Sequence, residues 1–338
     1  MKALVIQQPG HAEIVSIAEP EPSDNLLLLK VRLVGFCGSD LNTFRGHNPM
    51  VSYPRILGHE VSATIVEGSR SDANLSAGVN VTLSPYTNCG RCAACRRGRP
   101  NACRFNETLG VQRDGALTEY IRVPADKIYA AGKLSLTELC LVEPLTVGFH
   151  AVARGRVTAE DTVAIFGCGG VGLGTVAAAR FHGATTIAVD VAEEKLAIAR
   201  AAGAAHTINT TREDLHARLA ELTEGHGPDV VIEAVGRPET FRAAVEEVSF
   251  TGRVVYIGYA KQPVAYETKL FVQKELDILG SRNALPEDFR AVMRMFEEGR
   301  FPVNEAISSV VALEDAPEAL RLWSDNPTRV KKIMVRLD

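Results

Sequence analysis

The sequence predicts an α/β protein in two parts: a β-rich unit with long functional loops, then a doubly wound parallel sheet. Three observations carry this. Residues 1 to about 135 hold short β-prone runs broken by Gly, Pro, Asn and Asp. From Thr162 onward, strand-like runs alternate with Ala-rich helical segments. A glycine-rich turn stands between the first of these strands and the helix after it. At 338 residues the chain also exceeds the size at which one core usually stops growing, so two domains are expected.

Composition narrows the function classes. A content of 46% hydrophobic and 23% charged residues is that of a soluble globular protein. Lys plus Arg is 37 against 41 for Asp plus Glu, a net charge of -4, which supplies no general electrostatic reason to bind nucleic acid or an anionic membrane. The uninterrupted apolar runs fall short of the roughly 18 residues a membrane span needs. Met1-Lys2-Ala3-Leu4 leads straight into a strand pattern without a signal-peptide cleavage region, so a cytoplasmic location is expected. Seven cysteines, an odd number with four crowded together, read as metal ligands in a reducing compartment rather than as a disulfide framework.

In chain order, residues 2–6, 13–17, 26–34, 60–67, 79–83 and 119–123 are the strand candidates of a compact barrel-like fold. Two glycine-marked turns interrupt them, Gly35-Phe36-Cys37-Gly38-Ser39-Asp40 and Ile56-Leu57-Gly58-His59-Glu60. They deliver a thiol, a hydroxyl, an imidazole and a carboxylate, a set suited to a zinc ion that keeps one position open for water or substrate. Taken alone, Cys37 and His59 fit an ordinary buried core equally well.

Residues 84–106 form a polar lobe with little apolar material to bury. Cys89, Cys92, Cys95 and Cys103 lie there in a C-x2-C-x2-C-x7-C run, which supplies four thiolates for a closed, structural zinc site. Arg91, Arg96, Arg97, Arg99 and Arg104 are placed to offset the net charge of about -2 that four thiolates and one zinc carry by formal count. A zinc knuckle on nucleic acid would need a basic surplus and interleaved aromatics that the chain lacks. An iron-sulfur centre is the other alternative, though zinc satisfies the loop without a redox role.

Residues 137–152 place Leu139, Leu141, Val142, Leu145, Val147, Phe149 and Ala151 in a pattern that predicts a buried helix or helix pair, with Pro144 near an internal turn. Glu143 sits inside this apolar company. A carboxylate there must be paired, protonated or bound to a metal, which makes Glu143 a candidate third zinc ligand.

Residues 162–167, 185–190, 206–209, 229–234, 253–258 and 276–280 are the strands of the doubly wound sheet. The first turn reads Phe166-Gly167-Cys168-Gly169-Gly170-Val171-Gly172, with Gly167, Gly169 and Gly172 at the G-x-G-x-x-G positions and Gly170 and Val171 completing the cradle. Asp190 ends the next strand 18 residues beyond Gly172, as a dinucleotide fingerprint requires. The glycines let a pyrophosphate approach a helix amino terminus, and Asp190 accepts from the adenosine ribose hydroxyls. Val191 stands where a 2'-phosphate binder would want Arg, so NAD is expected over NADP. The alternative is a nucleotide-free sheet of the same type. A helix over 286–298 and a β-prone run at 330–335 follow, with residues from about 287 onward expected to complete the first part.

Together these motifs resemble the zinc-containing medium-chain dehydrogenases, in the family's order and over nearly the whole chain. The resemblance implies a GroES-like catalytic domain at residues 1–148 that includes the zinc lobe, and a Rossmann NAD-binding domain at 149–286. A C-terminal segment, 287–338, would complete the catalytic domain, with a cleft between the domains and two zinc ions per chain. It implies that Cys37 and His59 bind the catalytic zinc. Glu143, where alcohol dehydrogenases have a cysteine, is the third ligand in this likeness, and Glu60 is the carboxylate that the sorbitol-type branch uses or exchanges; the sequence does not choose between them. Ser39 matches the hydroxyl that takes the substrate proton. Asn42 occupies the place of a relay histidine, so His47 or water is expected to substitute.

Phe44-Arg45-Gly46-His47-Asn48-Pro49, Ser52-Tyr53-Pro54-Arg55 and the stretch from Ser281 to Phe289 look like the L-galactonate and L-idonate 5-dehydrogenase group. Sorbitol and threonine dehydrogenases are more distant relatives. The implied activity is hydride transfer from a secondary alcohol of a sugar acid or polyol to NAD, with Arg282 helping to hold the substrate or, instead, pairing with Glu143 or Glu60. A homodimer or homotetramer is implied. A nucleotide-binding sensor without turnover and a zinc hydrolase are the rival readings; the first leaves Cys37, His59 and Glu143 unused, the second the glycine turn and Asp190.

Overall fold

The structure, a computed structural model, describes residues 1–67, 73–327 and 330–337. The chain divides into two units. The first comprises Met1–Glu143, Leu285–Glu297 and Val303–Asp338, and the second Pro144–Ala284 and Glu298–Pro302.

The first unit begins with β1 (Lys2–Gln8), β2 (His11–Ser16), β3 (Leu26–Gly35), β4 (Arg55–Ile56), β5 (Glu60–Glu67), β6 (Asn80–Leu83), β7 (Tyr120–Pro124) and β8 (Ile128–Ala130). The second unit holds β9 (Thr162–Phe166), β10 (Thr185–Asp190), β11 (His206–Asn209), β12 (Val230–Glu233), β13 (Arg253–Tyr256) and β14 (Asp277–Gly280). The chain then returns to the first unit with β15 (Ser309–Ala312) and β16 (Ile333–Arg336).

In β3, Leu27, Leu29, Val31 and Leu33 are buried while the residues between them are half-buried, the period of two expected of a strand packed on one face. This strand organises the larger sheet, ordered β15-β16-β3-β5-β6-β8. One stretch of it, Leu26–Lys30, pairs with β7, and its end at Leu33–Gly35 pairs with β16. β5 pairs antiparallel with β3 over nearly its whole length. Leu29, Val31, Val34, Phe36, Leu57, Val61 and Ile65 lie at the centre of the resulting core. The β-prone run at 330–335 does return to this unit, as β16, although the paired strand starts only at Ile333.

The second unit's sheet runs β11-β10-β9-β12-β13-β14, with every pairing parallel. That is the doubly wound order, with its switch point between β9 and β12. The apolar side chains of β9 and β12 are buried, as in a parallel sheet covered on both faces.

One expectation changes. Of the two alternatives for residues 137–152 the single helix is observed, and the turn expected near Pro144 is absent: the helix runs Leu136–Arg154 with Pro144 inside it. Proline in a helix interior costs about 3 kcal/mol; burial of Leu139, Leu141, Val142, Leu145 and Phe149 outweighs that local penalty. This helix is long and apolar enough to cross a bilayer, yet 72% of its most apolar window is buried in protein, as in a core helix.

The carboxyl-terminal part of that helix meets the helix Gly170–Phe181 at two glycines. A Cβ on Gly148 would lie 2.3 Å from the Thr175 backbone nitrogen, and one on Gly174 would lie 3.0 Å from Leu145 Cα. Both neighbours are backbone and cannot rotate away. Gly148→Ala is therefore expected to destabilise the second unit by about 1–3 kcal/mol through overpacking; a thermal melt superimposable on wild type would contradict this packing.

Candidate metal centres and nucleotide turn

At the end of β3 the chain turns into the helix Gly38–Phe44, with Cys37 at its amino-terminal cap. The Cys37 amide donates to Asp40 Oδ2 at 2.8 Å and the Asp40 amide to Cys37 O at 3.0 Å, which closes the turn. Gly35 pairs across the sheet with Glu60, the first residue of β5. A Cβ on Gly35 would stand 2.2 Å from Glu60 Oε2, so only glycine lets that carboxylate lie against the strand. The ligand atoms of Cys37, His59 and Glu60 consequently come within 4.8 Å of one another. His59, Glu60 and Glu143 are buried, and Cys37 is half-buried.

Three residues unforeseen from sequence surround this group. Asp40, fully buried, places Oδ1 3.9 Å from His59 Nδ1. The Tyr86 hydroxyl donates to Glu143 Oε1. Burial and the charge of Glu143 push the Tyr86 pKa well above its usual value, so the phenol keeps its proton. Lys332 donates to Phe36 O at 3.0 Å and to both carboxylate oxygens of Glu60, at 2.7 and 2.5 Å. Asp40 had a weak signal in the turn it closes. Tyr86 and Lys332 had none, because their partners are distant in sequence.

The donor set fits a dication. Burial raises the Glu143 and Asp40 carboxyls above their ordinary values. Burial would lower His59, but the charges of Cys37, Asp40 and Glu143 hold it well above its usual value instead. Sulfur, nitrogen and oxygen donors crowded in this way are the chemistry of a catalytic zinc site. Ser39 Oγ, two residues after Cys37, is buried without a hydrogen-bond partner.

Cys89, Cys92, Cys95 and Cys103 form the second centre, their sulfurs also within 4.8 Å of one another. The short helix Ala93–Arg96 and the 3-10 turn Pro100–Ala102 set the spacing. Backbone amides of Cys89 and Phe105 donate to Cys103 Sγ, and that of Cys92 to Cys89 Sγ. Backbone donors lower Cys92 to about 6, while desolvation and neighbouring thiols raise Cys95 to about 11. Thiols so close ionise unequally unless a cation offsets their charge, which suits structural zinc.

In the second unit, Gly167 adopts φ +91° and Gly169 caps the helix that starts at Gly170. A Cβ on Gly172 would stand 1.7 Å from Gly167 O. Gly169 and Gly170 meet nothing within 4 Å, so the space over this helix terminus is open, as a pyrophosphate cradle needs. Val171 is half-buried in the first turn. Asp190 ties the turn down: Oδ2 accepts from the Cys168 amide at 2.7 Å and Oδ1 from the Val191 and Ala192 amides.

His47 is exposed on the loop after the helix Gly38–Phe44 and is not part of the Cys37 group. Arg282 is half-buried just after β14, in the second unit.

Comparison with known proteins agrees with this geometry. Residues 23–133 match the alcohol dehydrogenase GroES-like domain, and residues 170–298 the zinc-binding dehydrogenase domain. L-galactonate-5-dehydrogenase of Escherichia coli (strain K12) is 34% identical over 304 residues, 90% of this chain and 89% of that protein. Sorbitol dehydrogenase of Bacillus subtilis (strain 168) is 32% identical over 99% of this chain and 97% of its own. The crystal structure of the short chain alcohol dehydrogenase rspB from E. coli CFT073, complexed with NADH, superposes with a TM-score of 0.92 at 29% identity, covering 100% of this chain and 99% of that one. The chain belongs to the zinc-type medium-chain alcohol dehydrogenases.

Metal analysis is expected to find two zinc ions per chain in wild type and one in Cys95→Ser, with lower soluble yield for the variant. Because the thiolates must stay deprotonated to hold the ion, acidification with excess chelator should release the lobe's zinc. Two ions retained in Cys95→Ser would contradict the four-thiolate assignment.

Proposed function

We propose that the chain is an NAD-dependent oxidoreductase acting on a secondary alcohol of a sugar acid or polyol, with L-galactonate or L-idonate oxidised at C5 as the expected substrates. The observation that carries this reading is the group of half-buried Cys37 with buried His59 and Glu60, and the Ser39 hydroxyl in the same turn as Cys37. Similarity to L-galactonate-5-dehydrogenase over nine-tenths of the chain supports the sugar-acid class.

Zinc would supply Lewis acidity that makes a substrate hydroxyl easier to deprotonate, and NAD would accept the hydride. The chain's residues do the rest. Cys37, His59 and either Glu143 or Glu60 hold the metal, and the Asp40 carboxylate, 3.9 Å from His59 Nδ1, adds negative charge beside the ring. Ser39 Oγ takes the alcohol proton and must pass it on; Asn42 has no group that can carry it further, so water or the exposed His47 receives it. The alcohol carbon loses a hydride and its oxygen a proton, leaving a ketone.

Gly167, Gly169, Gly170, Val171 and Gly172 seat the pyrophosphate, and Asp190 accepts from the ribose. A carboxylate there repels a 2'-phosphate, which favours NAD over NADP. In this reading residues 1–148 and 287–338 form the catalytic domain and 149–286 the NAD domain of a cytoplasmic homodimer or homotetramer. A neutral polyol is the second reading, favoured by the 32% identity to sorbitol dehydrogenase along almost the entire chain.

Absorbance at 340 nm on a panel of aldonates and alditols, with NAD and NADP, tests the reading. Turnover should appear with NAD, and Cys37→Ser should abolish it while the fold survives; full activity in that variant would remove Cys37 from the metal site. Arg282 separates the two substrate classes, since its planar fork can take a carboxylate in two parallel hydrogen bonds. Arg282→Ala should cost an aldonate about 10-fold or more in kcat/KM beyond its effect on the matching alditol. Equal losses would reassign Arg282 to a role away from the substrate carboxylate.

A further inference from the structure

We infer that Glu233 is a positioning residue of the dinucleotide site: its buried carboxylate sets the loop after β12, and that loop braces the glycine turn on the side away from Asp190. The inference deepens the NAD reading above and rests on it. Glu233 ends β12 and has no exposed surface. Glutamate is almost never buried so completely unless donors surround it. Oε1 accepts three hydrogen bonds, from the Val235 amide at 2.9 Å, the Gly236 amide at 2.7 Å and the Thr240 hydroxyl at 2.7 Å. These donors lie just before and inside the first turn of the helix Pro238–Glu247, whose amino terminus favours an anion. Oε2 has no hydrogen-bond partner, so the charge is kept at a cost that an apolar side chain would avoid.

The same residue joins β12 to β13. Its backbone carbonyl accepts from the Ile257 and Gly258 amides at 2.9 and 3.2 Å. Glycines keep the two strand ends in contact: a Cβ on Gly258 would stand 2.4 Å from Glu233 Oε2 and 2.5 Å from the Gly236 nitrogen, and one on Gly236, at φ +83°, would stand 2.9 Å from Tyr259 O.

From this loop the contacts run to the nucleotide turn. The Ala234 amide donates to Phe166 O at 2.9 Å, one residue before Gly167. A Cβ on Gly167 would lie 2.7 Å from Val235 Cγ2, and one on Gly172 would lie 3.8 Å from Ala234 Cβ, so the loop rests directly on the turn. Because β9 stands between β10 and β12, the turn that follows it is held from both sides. Asp190 ties it from the end of β10 through the Cys168 amide, and Glu233 braces it from the end of β12 through Val235. Without Oε1, the Val235 and Gly236 amides lose their acceptor and the brace loosens.

NADH binding to the zinc-loaded enzyme, followed by the fluorescence of the bound nucleotide well below the melting temperature, tests this. Glu233→Ala should raise the Kd for NADH by about 10-fold or more, and KM for NAD should rise more than kcat falls. Zinc content should stay at two per chain, since both metal centres lie in the first unit. Glu233→Gln keeps an oxygen for the three donors but buries an amide without an acceptor, so it should melt at a lower temperature yet bind NADH within about threefold of wild type. That split separates positioning from stability. Glu233→Ala binding NADH as tightly as wild type, or Glu233→Gln binding as weakly as Glu233→Ala, would overturn the inference.

If Glu233→Ala does not fold, Thr240→Val decides the matter. It removes one of the three donors without a change of shape and should raise the Kd for NADH by about threefold; an unchanged Kd refutes the role given to Glu233. Wild type that binds neither NADH nor NADPH would remove the NAD reading itself, and this inference with it.

Discussion

Burying several anions in one small volume is the constraint on which the first unit depends. Cys37, Asp40, Glu60 and Glu143 converge where little water can screen them, and each bare charge would cost several kcal/mol. The Lys332 ammonium answers part of that cost directly through Glu60. The Tyr86 hydroxyl supports Glu143, and backbone amides support Asp40 and the cysteine lobe. What these contacts leave uncompensated is suited to a dication, so the electrostatics that would strain a metal-free core are those that make a zinc site.

The sheet supplies the precision. Pairing Gly35 with Glu60 on one side of β3 and with Met334 on the other brings three distant segments of chain to one point. A slip of one residue in either pairing would turn the side chains to the opposite face. Register along β3 is thus inseparable from the chemistry at its end, and the apolar alternation that sets the register also builds the core.

The second unit solves a simpler problem with local means. Its parallel order creates a switch point between β9 and β12, and the glycine turn after β9 opens a helix whose amino terminus favours an anion. Asp190 stabilises the turn through the Cys168 amide, so the residue expected to recognise ribose also shapes the phosphate cradle. Losing that carboxylate would alter both at once.

By itself the sequence determined what depends on spacing along the chain. The four cysteines, the glycine turn with Asp190, and the strand and helix periods are local patterns, and the family resemblance is built from their order. It placed β5, β10 and β11 at their observed bounds. It misjudged Pro144, because the tertiary burial that keeps the helix Leu136–Arg154 continuous outweighs a local breaker. Only the tertiary structure decided that Lys332 reaches Glu60, that Tyr86 reaches Glu143 and that Asp40 faces His59. Of these, the Lys332 and Tyr86 contacts join residues 272 and 57 positions apart. No spacing rule connects such residues: sheet pairing and the cost of unpaired buried charge bring them together, and both act on distances in space.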